Sequence, residues 1–170
     1  MTLETLPRSF FQRPTITVAQ ELLGTELVCG EHSGIITETE AYIGQDDEAC
    51  HASKGRTPRT EVMFGEAGYS YVYLIYGMYY CLNVVTEAKD FPAAVLIRGI
   101  KTNDKKSLTD GPGKLCRYLN ITKEHNALDV TQGNKLYIKA AIDHTPPPYQ
   151  STPRIGISKS TDKLWRFVAS

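Results

Sequence analysis

Two glutamates lie two residues apart in a segment whose composition predicts a β-strand. The segment Ile35–Tyr42 reads IITETEAY, rich in β-branched residues and flanked by glycines. Alternate side chains of a strand share a face, which here would hold Ile36, Glu38, Glu40 and Tyr42. Neighbouring carboxylates raise each other's proton affinity, and an aromatic wall adds desolvation. This pattern makes Glu40 a candidate general base.

The glutamate pair has two other interpretations. It could be a charged edge of a sheet that faces solvent and has no chemical role. It could also hydrolyse a sugar, because residues two apart on a strand lie about 6.5–7 Å apart, near the lower edge of the roughly 6.5–9.5 Å that separates the carboxyl groups of inverting glycosidases. The residues of the strand alone do not decide among these three interpretations: a general base, a charged sheet edge or a sugar hydrolase.

Tyrosines dominate a second segment, Tyr69–Val85, which reads YSYVYLIYGMYYCLNVV. Its β-branched and aromatic residues with one central glycine predict a β-hairpin whose tip is Tyr76-Gly77-Met78. Tyrosines on a sheet commonly pack on a core with their hydroxyl groups in water. A hairpin tip has no core to face, so an exposed aromatic residue there suits insertion between stacked bases. Other tyrosines could form the walls around an extruded base.

Short elements must position these residues. We predict a helix at Val18–Leu23, capped by Thr17 and closed by Gly24. A long loop, Gly44–Phe64, is expected to contain a helical turn at Asp46–Cys50, and a turn at Gly111–Lys114 leads into a helix at Leu115–Leu119. Further strands are predicted at Leu27–Cys29, Ala93–Ile100, Leu136–Ala140, Arg154–Ile157 and Leu164–Val168, with a turn through Gly30 and Gly34 after the first. The sum is an α+β fold: a single domain over residues 1–170, with a strand-rich curved antiparallel sheet, a protruding hairpin and few short helices.

Charge is distributed unevenly along a chain whose net charge is zero. Residues 1–50 carry nine acids and two bases, whereas residues 101–170 carry twelve bases and six acids. A basic half could attract a phosphate backbone, although both excesses could equally be solvated surface. The four cysteines form no C-x-x-C pair, so they suggest neither a zinc site nor a redox motif, and we expect reduced, mostly buried thiols. With no long apolar stretch and no signal-like start, we expect an intracellular protein of the cytoplasm and nucleoid, or of the nucleus in a eukaryote, without a membrane partner.

Five blocks of sequence, in order, resemble the alkyladenine (3-methyladenine) DNA glycosylase family. They span residues 35 to 157 and read TETEAYIGQDDEACHASKGRTPR, YVYLIYGMYYCLNVV, AAVLIRG, GPGKLC and PRIGI. The resemblance implies a monomeric enzyme that flips damaged purines (3-methyladenine-like bases, hypoxanthine, ethenoadenine) out of double-stranded DNA. It hydrolyses the N-glycosidic bond and leaves an abasic site without cutting the strand, and the resemblance implies neither a metal nor an organic cofactor.

The resemblance also assigns roles to residues. Glu40 is similar to the family's general base, and Arg98 and the main-chain carbonyl of Ile155 would hold the attacking water. Tyr42, His51 and Tyr73 resemble the walls that sandwich the flipped base, to which the His51 amide would donate a hydrogen bond. Asn83 and Leu96 resemble the pocket residues that disfavour the amino group of guanine. The DNA contacts implied are intercalation by Tyr76 and Met78 and backbone phosphates at Arg56 and Lys114.

Two departures from the family concern the DNA contacts. The family has a longer segment where this chain has only Ile100–Asp110, and the loop after His51 is one residue shorter, which leaves the match of Arg59 open. The rival hypothesis is a non-catalytic nucleic-acid-binding domain, which would use the same tyrosines and basic half while Glu40 is merely structural.

Overall fold

The fold is known from a computed structural model, which describes residues 4–103, 109–141 and 145–170. Within these ranges, eight strands form one antiparallel sheet. The strands are β1 (Glu26–Cys29), β2 (His32–Ile43), β3 (Ser70–Ile75), β4 (Tyr79–Val85), β5 (Ala93–Lys101), β6 (Leu136–Lys139), β7 (Tyr149–Thr152) and β8 (Arg166–Ala169). The α+β class and the strand-rich antiparallel sheet are therefore confirmed. Part of the shortened segment Ile100–Asp110 lies outside the described residues.

Strand β2 organises the sheet. The strand order is β3-β4-β5-β2-β1-β6, and β8 also pairs with β2 and with β7. One edge of β2 pairs with β5, while the other edge pairs first with β1 and then, at Glu38–Glu40, with β8. The register against β5 shifts on both sides of Glu38. This irregularity is a β-bulge, a device that redirects side chains and bends a strand.

The bulge corrects the predicted strand face. Ile36 is fully buried in the same core cluster as Ala41, whereas Glu40, Glu38 and Tyr42 contact groups on the cavity side described below. The prediction that Ile36 shares a strand face with Glu38, Glu40 and Tyr42 was therefore wrong, because the bulge interrupts the alternation of side chains between the two faces. Glu38, Glu40 and Tyr42 still share a face, since they all lie at or after the bulge.

The helices are few and short among the described residues. They are α1 (Arg8–Phe11), α2 (Thr15–Glu21), α3 (Pro112–Tyr118) and 3₁₀ turns at His51–Lys54, Glu61–Phe64 and Lys123–His125. Helix α2 begins before the predicted Val18, and Thr17 does not cap it. Glu87 instead accepts a hydrogen bond from the Thr15 amide at 3.0 Å, a cap supplied from elsewhere in the chain.

Other predicted boundaries also change. Residues 154–157 form no strand, and the strand Tyr149–Thr152 precedes them unpredicted. Gly34 lies inside β2, so the turn after β1 contains only residues 30 and 31. In the loop after β2 the 3₁₀ turns begin at His51 and Glu61, not at Asp46. Among the described residues, no helix is long and apolar enough to cross a membrane.

Two apolar clusters pack the sheet against the helices and the long loop. The larger contains fully buried Phe11, Leu22 and Ile97. The smaller one lies under the long loop and consists of Cys50, Ala52, Met63, Phe64, Tyr71, Val85 and Ala94. The loop is therefore ordered by its own side chains packing on β3, β4 and β5. The four cysteines are buried free thiols, as the sequence predicted.

Candidate active site

Glu40 is a fully buried carboxylate near the C-terminal end of β2. Its Oε1 accepts a 2.7 Å hydrogen bond from the hydroxyl of Tyr42, two residues along the same face. Its Oε2 accepts a 2.7 Å hydrogen bond from the backbone amide of Ile155, which lies in the irregular segment between β7 and β8. Two elements far apart in sequence thus fix the orientation of one carboxyl group.

Arg98 faces Glu40 from the neighbouring strand. Leu96 of β5 pairs with Glu40, and two residues further along the same face the Nε atom of Arg98 lies 3.7 Å from Glu40 Oε2. Burial raises the pKa of Glu40, and the Arg98 charge and the hydrogen bonds from Ile155 and Tyr42 offset part of this. A carboxylate with a raised pKa binds a proton more readily, as a general base must.

A cavity of about 350 Å³ opens in front of Tyr42 and Arg98. Its volume lies within the range of pockets that bind small molecules or single bases. The structure brings most of the predicted pocket and catalytic residues to its walls: Tyr42, His51, Tyr73, Asn83, Leu96, Arg98, Ile155 and Tyr76. Ala49, Met63, Tyr71, Ile75, Cys81, Pro112, Gly156 and Ile157, which the sequence did not single out, complete the lining.

His51 and Tyr73 form one wall of the cavity. Their ring centroids are 4.3 Å apart with an interplanar angle of 61°, and His51 Nδ1 is 3.0 Å from the hydroxyl oxygen of Tyr71. A flat molecule between two rings needs about 3.5 Å on each side, so none fits between His51 and Tyr73. Burial, followed by the positive charge of Arg59, lowers the pKa of His51.

Tyr42 is held in place by a buried ion pair that the sequence analysis missed. The Arg154 guanidinium lies 4.7 Å from the Tyr42 ring centroid and donates to Asp47 through two hydrogen bonds of 2.7 and 2.9 Å. Both side chains are at most 1% exposed. Asp47 also accepts hydrogen bonds from the amides of Ile43 and Ala49. The pair therefore joins the long loop, Tyr42 and the segment that carries Ile155.

Asn83 and Leu96 lie opposite each other on β4 and β5 and are both buried. The Asn83 side-chain amide donates a 3.2 Å hydrogen bond to the Tyr71 carbonyl. This bond fixes the rotamer of Asn83 at the cavity wall, where a bound molecule would meet it.

The hairpin tip projects Tyr76 and Met78 into solvent, with exposed fractions of 88% and 65%. Tyr76 and Gly77 both have positive φ, and the Met78 amide donates to the Ile75 carbonyl at 3.1 Å. These features define a two-residue turn of the type that fits the twist of a hairpin. The predicted tip and the exposure of its aromatic residue are found as the sequence indicated.

The basic residues near the cavity differ in their availability. Arg56 is exposed but donates to Glu61 at 2.8 Å and to Asp90 at 2.9 Å, and Lys114 lies 3.3 Å from Asp110. Arg59 is exposed, with its guanidinium 5.3 Å from the Tyr73 ring centroid. A phosphate at Arg56 would have to compete with two carboxylates.

Comparison with known proteins identifies relatives along nearly the whole chain. The model of the methylpurine-DNA glycosylase family matches residues 9–170. A protein of Wolbachia pipientis from Culex pipiens is 61% identical over 163 residues, covering 95% of this chain and 88% of the relative. A protein of Ehrlichia chaffeensis is 58% identical, covering 96% and 92%, and one of Rickettsia rickettsii is 56% identical, covering 97% and 90%. All three carry 3-methyladenine DNA glycosylase as a provisional name.

The family model spans nearly the entire chain, and the relatives share more than half of its residues along most of their own length. The resemblance of the five sequence blocks is thereby confirmed: the chain belongs to the methylpurine-DNA glycosylase family.

Proposed function

We propose that this protein flips an alkylated or deaminated purine out of duplex DNA and hydrolyses its N-glycosidic bond with a water activated by Glu40. As a member of its family it is a DNA glycosylase, a hydrolase of N-glycosyl bonds in DNA repair. The observation that carries the mechanism is the fully buried Glu40 carboxylate, which does not itself line the cavity but lies directly behind three residues that do. The Tyr42 hydroxyl and the Ile155 amide hold it, and Arg98 is 3.7 Å away.

The proposed reaction uses one water molecule and no covalent enzyme intermediate. The electrons of the N-glycosidic bond leave with the purine while positive charge develops on the sugar, as in other glycoside hydrolysis. A cationic alkylated purine leaves as a neutral base, whereas hypoxanthine or ethenoadenine leaves as an anion that takes a proton from solvent. The water oxygen bonds to the sugar carbon, and Glu40 accepts the proton that the water loses. Arg98 and the carbonyl of Ile155 orient this water, and the negative charge of Glu40 also stabilises the cationic sugar.

The product is an abasic site in an intact strand. A glycosylase that also cuts the strand needs an amine nucleophile at the sugar. Among the described residues, no lysine lines the cavity. Free purine together with an uncut abasic strand is therefore the expected outcome of a reaction with a duplex that contains one lesion.

The flipped purine stacks between Tyr42 and the wall formed by His51 and Tyr73. Since no ring fits between His51 and Tyr73, the two side chains act together on one face of the purine. The His51 amide donates to the purine edge. Asn83 and Leu96, which are buried in the cavity wall, exclude the amino group of guanine. With its pKa lowered, the His51 ring is neutral at pH 7, so it stacks as an uncharged aromatic.

The substrates we propose are 3-methyladenine-like bases, hypoxanthine and ethenoadenine. Alkylation places positive charge on the purine, which makes it a better leaving group and favours its stacking on electron-rich rings such as Tyr42 and Tyr73. The partner is double-stranded DNA, and we propose that the protein acts as a monomer.

The two rival interpretations fit the geometry less well. A non-catalytic binding domain gives no reason for a buried carboxylate beside the pocket. Burial of such a group costs free energy that its partners offset only in part, as the raised pKa of Glu40 indicates. A sugar hydrolase that uses Glu38 and Glu40 as a pair needs a second carboxylate that reaches the substrate, but one oxygen of Glu38 already accepts hydrogen bonds from two arginines, Arg98 and Arg166.

Tyr76→Ser should reduce base release about tenfold on a paired lesion, since unstacking and unpairing cost a few kcal/mol and a wedge in the vacated stack offsets part of that cost. The defect should shrink when the lesion lies opposite a mismatch or a gap, where flipping is easier. Tyr42→Ala, in contrast, should impair release in every context, because it removes a pocket wall. Single-turnover rates on the two kinds of duplex, with melting temperatures, measure this. An equal loss in both duplexes for Tyr76→Ser would remove Tyr76 from the wedge role.

Binding to undamaged duplex should weaken steeply as salt is added. Each phosphate neutralised by Lys or Arg contributes a slope of about −0.9 to the logarithm of the binding constant against the logarithm of salt concentration. The bases after Lys101 should contribute most, and Lys114→Gln should make the slope shallower by about 1. Fluorescence anisotropy across a salt series measures the slope. Binding that does not change with salt would show that the basic half is only a solvated surface.

A further inference from the structure

Glu38 holds two arginines on one carboxylate oxygen. Its Oε2 accepts from Arg98 Nε at 3.0 Å and from Arg166 Nε at 2.9 Å. Arg166 is the first residue of β8, the last strand of the chain, and its Nη1 donates to Thr152 on β7 at 3.1 Å. The Glu38 side chain is 18% exposed, so these pairs are partly shielded from solvent.

These contacts continue into the catalytic carboxylate. Arg98 Nε lies 3.0 Å from Glu38 but 3.7 Å from Glu40, so it hydrogen-bonds Glu38 and is only within ion-pair distance of Glu40. Charges therefore alternate along the row Glu40, Arg98, Glu38 and Arg166. The bulge at Glu38 and the pairing of β8 with residues 38–40 bring this row together.

We propose that Glu38, anchored by Arg166, is a positioning residue that holds Arg98 at a distance from Glu40 and so prevents a direct hydrogen bond between Arg98 and the carboxylate that takes a proton from water. This inference rests on the proposed function. It gives the C-terminal strand a role in the chemistry, since Arg166 and Thr152 form the far end of the row.

Glu38 can control Glu40 because the two carboxylates compete for the guanidinium of Arg98. Without the charge of Glu38, Arg98 would move onto Glu40, where it would stabilise the ionised form and occupy the place of the water. The uncompensated positive charge of Arg166 would also lower the pKa of Glu40. Removal of Arg166 would instead raise the pKa of Glu40, because Glu38 would then pair with Arg98 alone.

Substitution of Glu38 or of Arg166 alters none of the other titratable or charged groups that surround Glu40. They come from every element that packs on it: Tyr42 on β2, Tyr73 and Cys81 on the hairpin, and Arg154 with the Ile155 amide on the segment before β8. A difference between the two variants can therefore be assigned to the row of charges.

The test is the pH dependence of single-turnover base release for wild type, Glu38→Gln, Arg166→Gln and the double variant, each well below its melting temperature. Glu38→Gln should move the acid limb of the profile to lower pH and reduce the plateau rate about tenfold, as expected when a reacting group is displaced. Arg166→Gln should move the acid limb to higher pH. The acid limb of the double variant should lie between those of the two single variants.

Glu31→Gln is the matched control, because Glu31 is an exposed glutamate in the turn between β1 and β2 and should leave the profile unchanged. Acid limbs that do not move, or that move in the same direction in both single variants, would overturn the inference and leave Glu38 with a merely structural role. If wild type itself released no base, the proposed function would fail instead, so the two failures are distinguishable.

Discussion

Glu40→Gln is expected to lose most base release and to keep lesion binding. Glutamine has nearly the shape of glutamate, and its side-chain oxygen can still accept one of the hydrogen bonds from Tyr42 and Ile155. It cannot accept a proton from water, and positioned proton transfer contributes about 10²–10⁴-fold to rate. A loss of that order in the single-turnover rate, with unchanged affinity for a lesion duplex, is the predicted result.

Glu38→Gln is the internal comparison for this experiment. Glu38 acts on the reaction only through Arg98, so its variant should lose much less activity than Glu40→Gln. Near-wild-type release by Glu40→Gln would refute the assignment of the base. A greater loss in Glu38→Gln would mean that the wrong carboxylate had been chosen.

Asp47→Ala is expected to destabilise the fold by about 3–5 kcal/mol, since removal of one partner of a buried ion pair leaves the other charge uncompensated. Arg154 would keep a guanidinium with a fully buried side chain and no carboxylate. The amide of Ile43 at the end of β2 and that of Ala49 in the long loop would also lose their acceptor. For a chain of this size the melting temperature should fall by roughly 10 °C.

Asp46→Ala is the matched control for Asp47→Ala, because Asp46 is the adjacent aspartate and is exposed. Thermal and denaturant unfolding of both variants give the free energy that the buried pair contributes. Equal stability of the two variants would contradict the view that Asp47 and Arg154 join the loop to the site.

Features set by local sequence could be predicted well. The hairpin Ser70–Val85 follows from its β-branched and aromatic residues and its glycine, and the structure confirms it with Tyr76 exposed at the tip. Helix α2 could not be delimited in this way, because Glu87, which caps it, lies 72 residues away. The bulge at Glu38 has no local signal either, and it reversed the predicted face of Ile36.

In the site, too, only the residues with a local sequence signal could be predicted from the sequence pattern. Pattern alone singled out Glu40, Tyr42 and the tip tyrosine, whereas Arg98, Asn83 and His51 came from the family resemblance. Asp47, Arg154 and Arg166 were not identified at all. Their partners lie more than 100 residues away in the chain, and an ion pair across such a separation leaves no periodicity or spacing in the sequence.

Release of a free purine tests the central claim most directly. Wild-type protein is incubated in excess with a duplex that carries one ethenoadenine or hypoxanthine, and the supernatant is analysed for free base while the strand is analysed with and without alkali. The expected result is free damaged purine in amounts equal to the abasic sites, with strand breaks only after alkali. Tight binding of the lesion duplex with no base released would contradict it and would support a non-catalytic DNA-binding role.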